Sequence, residues 1–113
     1  MTYSKVNKPW GWYRVLTEGP DYVTKELFVK PNQKFSLQKH FKREEHWHIL
    51  DGSGILTLGD TQRVVSPGDY IFIPLGEIHR LEANSLGLLF FELQRGYCDE
   101  DDILRLEDDY NRD

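Results

Sequence analysis

The chain has 113 residues, enough for one domain whose core buries roughly two thirds of the surface an unfolded chain exposes, and too few for a second catalytic domain. A hydrophobic fraction of 39% with 13% aromatics supports a globular core, while a formal charge of -5 argues against non-specific binding to DNA or RNA and leaves room for a small anionic substrate held by local cations. The opening MTYSKVNKPW has no apolar signal region, no run approaches the ~18 apolar residues of a membrane helix, and Cys98 is the one cysteine, so a cytoplasmic protein that touches no membrane is expected.

Short apolar or alternating runs separated by turn residues follow one another along the chain. WGWYRVL runs to Gly19-Pro20-Asp21, YVTKELFV to Pro31-Asn32, KFSLQKH to a polar turn, and EEHWHIL to Asp51-Gly52. GILTLGD, QRVVS, Pro67-Gly68-Asp69, YIFIP, EIHRLEA and GLLFFELQ continue the rhythm, giving nine or ten strands at spacings of about ten residues, as all-β sandwiches and barrels show. The tail DEDDILRLEDDYNRD changes character, setting Ile103, Leu104 and Leu106 among acids, and reads as a short helix or a strapped-down arm.

Four potential metal ligands lie within these strands. Gln38 and His40 are two apart and project from one face of an extended segment, Glu45 follows after the turn, and His79 opens a later strand that meets the first pair only if the sheet curls into a barrel or sandwich. Two imidazoles, a carboxylate and an amide carbonyl suit a divalent metal, zinc first, with manganese, cobalt, nickel or iron as alternatives, and water can complete an open catalytic position. Taken singly, each residue reads more readily as an ordinary surface strand residue than as a ligand.

Alternation sorts the remaining polar groups. If Gln38, His40 and Glu45 face inward, Trp47 and Ile49 join them, whereas His46 and His48 face the other way. Lys25 shares a face with Val23, Leu27 and Val29, so it is either a snorkelling edge residue or an inward functional cation. Glu92 and Gln94 share a face with Leu88 and Phe90, which puts Glu92 either near the metal as an acid or base, or outward at a strand end.

Punctuation strengthens the metal reading. Glu45 lies seven residues before Gly52, Gly68 six before Pro74 and Pro74 five before His79, which resembles the paired motifs of the cupin superfamily. KPWGWYRVL, SLQKHFKREEHW, IPLGEIHRLEAN and ELQRGYCDEDDILRLEDDYNR together resemble the cupin domain of type II mannose-6-phosphate isomerases, over nearly the whole chain. That domain often follows a mannose-1-phosphate guanylyltransferase domain, and this chain resembles the isomerase module standing alone, as a single cupin domain over 1–113.

The resemblance implies a jelly-roll barrel with metal ligands Gln38, His40, Glu45 and His79. It also implies functional roles for the Arg-x-Glu-His element, here Arg43, Glu45 and His46, and for the arginine of the acidic tail, Arg105. Gln38 stands where cupins usually have a first histidine. Other departures are Asn32 in place of a glycine, which a turn tolerates because Asn enters the left-handed region readily, Cys98-Asp99 where Leu-Gly is common, and Asn111 in place of a tail glycine.

An aldose–ketose isomerase needs a Lewis acid for the substrate oxygens and a base for the carbon acid. The metal supplies the first; Glu92 and Lys25 are the base candidates by strand facing, and His46 by motif. Arg43, Arg80 and Arg105 are the cations available for a substrate phosphate, with Arg80 on the opposite face from His79. The expected activity is interconversion of mannose 6-phosphate and fructose 6-phosphate. A non-catalytic cupin that binds a sugar phosphate or carbohydrate is the alternative, and an iron-dependent cupin dioxygenase a third reading. Exposed strand edges and the aromatic run Trp10, Trp12 and Tyr13 lead to the expectation of a homodimer.

Overall fold

The structure, a computed structural model, describes residues 4–108. Among them are nine strands and no helix: β1 (Val6–Lys8), β2 (Gly11–Gly19), β3 (Tyr22–Val29), β4 (Leu37–Lys39), β5 (Arg43–Leu58), β6 (Thr61–Val65), β7 (Tyr70–Ile73), β8 (His79–Gly96) and β9 (Leu104–Glu107). With no helix present, none is long and apolar enough to cross a membrane. The all-β jelly-roll expectation holds.

Every pairing is antiparallel, and β8 is the hub: it pairs β3, β4 and β5, while β5 also pairs β6 and β7. Two strands depart from the turn-by-turn reading of the sequence. β5 runs unbroken through Asp51-Gly52, and β8 through Asn84-Ser85-Leu86, where the turn residues had marked strand ends. The pairing of these long strands shifts register between Ile49 and Asp51, as at a bulge, and again between Gly52 and Gly54, where residues 84–87 of β8 lie against Ser53 alone. Gly52 permits this with a φ of 80°, and a Cβ there would lie 2.1 Å from the Gly87 carbonyl oxygen. At the other anticipated left-handed position, Asn32 adopts a φ of 61°.

Among the described residues the tail is an arm, not a helix. From Gly96 it turns back, and β9 then pairs with β4. The Asp102 carboxylate accepts from the backbone N–H groups of Phe41 (3.0 Å) and Lys42 (2.9 Å), pinning the arm before the strand begins. Asn111 lies outside the described residues.

Inward side chains of β3, β5, β7 and β8 form the core around Leu27, Val29, Ile49, Leu56, Ile71, Leu81, Leu88 and Phe90. The N-terminal aromatics divide. Trp10 is buried in this core, Trp12 stacks on Phe28, and Tyr13 lines the interior cavity, so of the aromatic run expected at a dimer edge two members are engaged inside the barrel.

Candidate metal centre and substrate cavity

A cavity of about 240 Å³ opens at one end of the barrel, beyond the apolar core. β5 delivers Arg43, Glu45 and Trp47 to it by strict alternation, β3 delivers Lys25, and β8 delivers Glu92 and Gln94. His40 follows β4, and His79 opens β8 beside Gln38, its Cα partner across the β4–β8 ladder.

His40, Glu45 and His79 are all buried, and each offers a ligand atom within 4.8 Å of the other two. Both imidazoles are fixed in one tautomer. His40 Nδ1–H donates to the Asp102 carbonyl (2.6 Å) and His79 Nδ1–H donates to the Glu77 carbonyl (3.0 Å), which leaves each Nε2 with a lone pair; that of His40 accepts from Arg43 Nη2 at 3.3 Å. His40 Nε2 lies 3.2 Å from Glu45 Oε2 and His79 Nε2 lies 3.9 Å from Glu45 Oε1. The His79 Nε2 atom is buried without a hydrogen-bond partner. Three electron-pair donors thus converge, with backbone carbonyls behind both histidines, and this donor set fits a divalent metal. Gln38 stands at the edge of the group, with its Oε1 accepting from Ser36 Oγ at 2.7 Å.

Electrostatics agree with that fit. Burial holds the His79 imidazole down at about 4, and burial followed by the Arg43 charge lowers His40, so both rings stay neutral and ligating near neutral pH. Glu92 is 4% exposed. Burial, then the neighbouring Glu45 charge, pushes its carboxyl up to about 8, against the opposing pull of Lys25. Trp47 Nε1–H lies 3.0 Å from both Glu45 Oε1 and Glu92 Oε1, and Gln94 Nε2 donates to Glu92 Oε2 at 2.8 Å.

The other expected site residues fall into two groups. Lys25 and Arg43 point inward: Lys25 Nζ donates to Glu100 Oε2 (2.6 Å) above the Tyr13 ring, and Arg43 Nε donates to Glu45 Oε2 (3.0 Å). Arg105 lines the cavity from β9, opposite Gln38.

His46 and Arg80 point elsewhere, and their expected roles at the site are corrected by where alternation puts them. His46 lies on the outer face, its ring between the Tyr70 hydroxyl and the Glu44 carboxylate, each at 2.6 Å. Arg80 is a strap: its Nε donates to the Phe35 carbonyl and its Nη2 to the Glu107 carbonyl, both at 2.9 Å, fastening the arm to the barrel.

Sequence reasoning assigned no role to the Trp47 N–H or to the Gln94 amide, although alternation had set both inward. From the arm it anticipated Arg105 and missed the rest. The Asp102 carbonyl and the Glu100 carboxylate sit in irregular chain, where no periodicity marks which groups face the cavity.

The comparisons bear on the whole chain. Mannose-1-phosphate guanylyltransferase RfbM of Salmonella typhimurium is 41% identical over 107 residues, covering 93% of this chain and 22% of its own length. The xanthan biosynthesis protein XanB of Xanthomonas campestris is 40% identical over 112 residues, covering 97% and 24%. The chain therefore spans about a quarter of the length of these curated relatives.

Among solved structures, the capsular polysaccharide assembling protein CapF of Staphylococcus aureus superposes with a TM-score of 0.82 at 17% identity, over 93% of this chain and 34% of CapF. Oxalate decarboxylase of Bacillus subtilis gives 0.80 at 21%, over 92% and 30%. These two likenesses concern the fold, which is that of the cupins. Residues 1–108 match the family described as Mannose-6-phosphate isomerase C-terminal, and the chain belongs to that family of cupin domains.

Proposed function

We propose that this cupin is a metal-dependent sugar-phosphate isomerase that interconverts mannose 6-phosphate and fructose 6-phosphate. The observation that carries the reading is the convergence of His40 Nε2, His79 Nε2 and a Glu45 oxygen beside the buried Glu92 carboxyl, in a cavity lined by Lys25, Arg43 and Arg105. Membership of a family named for mannose-6-phosphate isomerase supplies the substrate class.

When bound by His40, Glu45 and His79, a divalent metal supplies Lewis-acid polarisation of the substrate oxygens. The chain's own groups do the rest. Glu92, ionised, takes the proton from C2 of the open-chain aldose, and the electron pair left behind forms the C1–C2 double bond of an enediolate. Returning that proton to C1, with the oxygen-borne proton moving from O2 to O1, gives the ketose. Trp47 and Gln94 hold the Glu92 carboxylate in place through its two oxygens, so little rearrangement accompanies the transfer. Lys25 donates to Glu100, which makes Glu92 the better base of the two candidates. Arg43 orients Glu45, and Arg105 faces the ligand from the arm.

The test is a coupled assay for fructose 6-phosphate on chelated protein, repeated after adding back zinc, manganese, cobalt, nickel or ferrous iron. Metal-restored turnover that disappears in His40→Ala is the expected result. A folded, metal-loaded chain that binds sugar phosphate without turning it over would instead be a binding cupin.

A further inference from the structure

Two buried cations in the cavity share one oxygen of the chain's own carboxylate. Glu100 Oε2 lies 2.6 Å from Lys25 Nζ and 3.8 Å from Arg43 Nη1. The three side chains have unequal access to water: Lys25 and Arg43 are each 6% exposed, whereas Glu100 is 57% exposed. Leaving the site returns Glu100 to solvent at small cost, but it takes from the buried Lys25 ammonium its carboxylate partner, while Arg43 keeps Glu45. Such a place accepts another anion in exchange for the first.

Local architecture permits the exchange without unfolding the arm. Asp99 and Asp102 anchor the backbone on either side of Glu100: the Asp99 carbonyl accepts from Arg43 Nη1 at 3.2 Å, and the Asp102 carboxylate accepts from Phe41 and Lys42. Side-chain torsions alone therefore carry the Glu100 carboxylate out. Lys25 stays where it is, because its Nζ sits 4.4 Å from the centre of the Tyr13 ring and its stem is packed within the barrel.

We propose that Lys25 and Arg43 form an oxyanion subsite for the phosphoryl group of the ligand, and that the Glu100 carboxylate fills it as an internal surrogate until the ligand displaces it. The choice of a phosphoryl group rests on the sugar-phosphate reading above. A phosphoryl group carries roughly 1.5 to 2 negative charges near pH 7 and three acceptor oxygens, so it can serve both cations where Glu100 brings its oxygen within hydrogen-bonding distance of only one. Glu100 thereby sets a threshold on affinity, excluding weak monoanions while yielding to a dianion.

Inorganic phosphate binding to the chelated 113-residue chain, followed by titration calorimetry, tests the assignment without any metal to bind the probe. In Glu100→Gln and in Glu100→Ala, phosphate is expected to bind on the order of tenfold more tightly than in the parent. Adding Lys25→Met to either variant should take that gain away. Mannose 6-phosphate should compete with phosphate and mannose should not. Phosphate that binds both Glu100 variants no more tightly than the parent, in chains whose circular dichroism is unchanged, overturns the proposal, and so does competition by mannose equal to that by its phosphate. These outcomes separate from turnover: an inactive chain that shows the gain keeps the subsite and loses the isomerase reading, and an active chain without it does the reverse.

Discussion

The two ends of the barrel are built from the same rows of inward-facing residues, and they differ only in what those rows carry. Along β3 the row runs Val29, Leu27, Lys25; along β5 it runs Ile49, Trp47, Glu45, Arg43; along β8 it runs Leu88, Phe90, Glu92, Gln94. Register aligns them into layers. Val29 pairs with Leu88, Leu27 and Ile49 both pair with Phe90, Lys25 and Trp47 both pair with Glu92, and Glu45 pairs with Gln94. Apolar layers give way to charged ones within two residues on every strand. The pleat dictates which residues enter the interior, and it does so with equal force at both ends. The apolar end gains stability from burial, while the polar end holds ionisable groups that burial alone would disfavour.

That contrast is sharpest in a matched pair of substitutions on β8. Glu92→Gln keeps the shape of the side chain and removes the proposed base, so isomerase turnover should fall about 100- to 10,000-fold while thermal stability holds or rises, because a buried ionisable group is lost. Steady-state kinetics beside a melting curve on the same preparation check it. A variant that loses stability and keeps its turnover would remove Glu92 from the chemistry.

Phe90→Ala, two residues away, should show the opposite profile. It opens a cavity against Trp47, whose ring lies 4.9 Å away, and should cost about 3–5 kcal/mol by denaturant titration. If it folds, its metal-restored turnover should stay within the range that the loss of rigidity explains.

The smallest effect is the pH dependence of stability in the metal-free protein, which belongs to the polar end. His79 is held at about 4 against an ordinary 6.5, and His40 is lowered too, so as pH rises through that window the unfolded chain gives up protons that the folded chain never held, and stability increases. Glu92 acts with the opposite sign. Its folded value of about 8 against an ordinary 4.5 makes the folded state the greater proton binder in between, so its contribution declines with rising pH. Below 6.5 the histidines and Glu92 pull in opposite directions, and from there to about 8 Glu92 acts without them. Stability should therefore fall from about pH 6.5 to about 8, and urea midpoints measured from pH 5 to 8.5 would show it. A monotonic rise across that range would mean that Glu92 is ionised in the folded protein.

Much of this arrangement is legible in the chain. Alternation assigns Lys25, Glu45, Trp47, Glu92 and Gln94 to the interior and His46 to the exterior without reference to any partner strand, because successive side chains on a pleated strand must take opposite faces. The same rule sets Arg80 apart from His79. The punctuation was less dependable: Asp51-Gly52 and Asn84-Ser85-Leu86 carry turn residues, yet both lie inside strands, since a bulge uses the same backbone freedom as a turn. The helix alternative for the tail failed for a related reason, as sparse apolar residues among acids satisfy several local patterns and the free edge of β4 decided between them.

By itself, the sequence determined an all-β barrel, the inward and outward sets of its strands, and the ligand-type residues His40, Glu45 and His79, because these follow from local periodicity and side-chain chemistry. Tertiary structure alone decided that the Asp102 carbonyl would fix the tautomer of His40, that Trp47 would stand between Glu45 and Glu92, that Arg80 would strap the arm, and that Glu100 would meet Lys25 across 75 positions of chain. Each of these is a meeting of groups from different strands or from irregular chain. Its geometry depends on strand register and on the path of the arm, and neither leaves a repeat in the sequence.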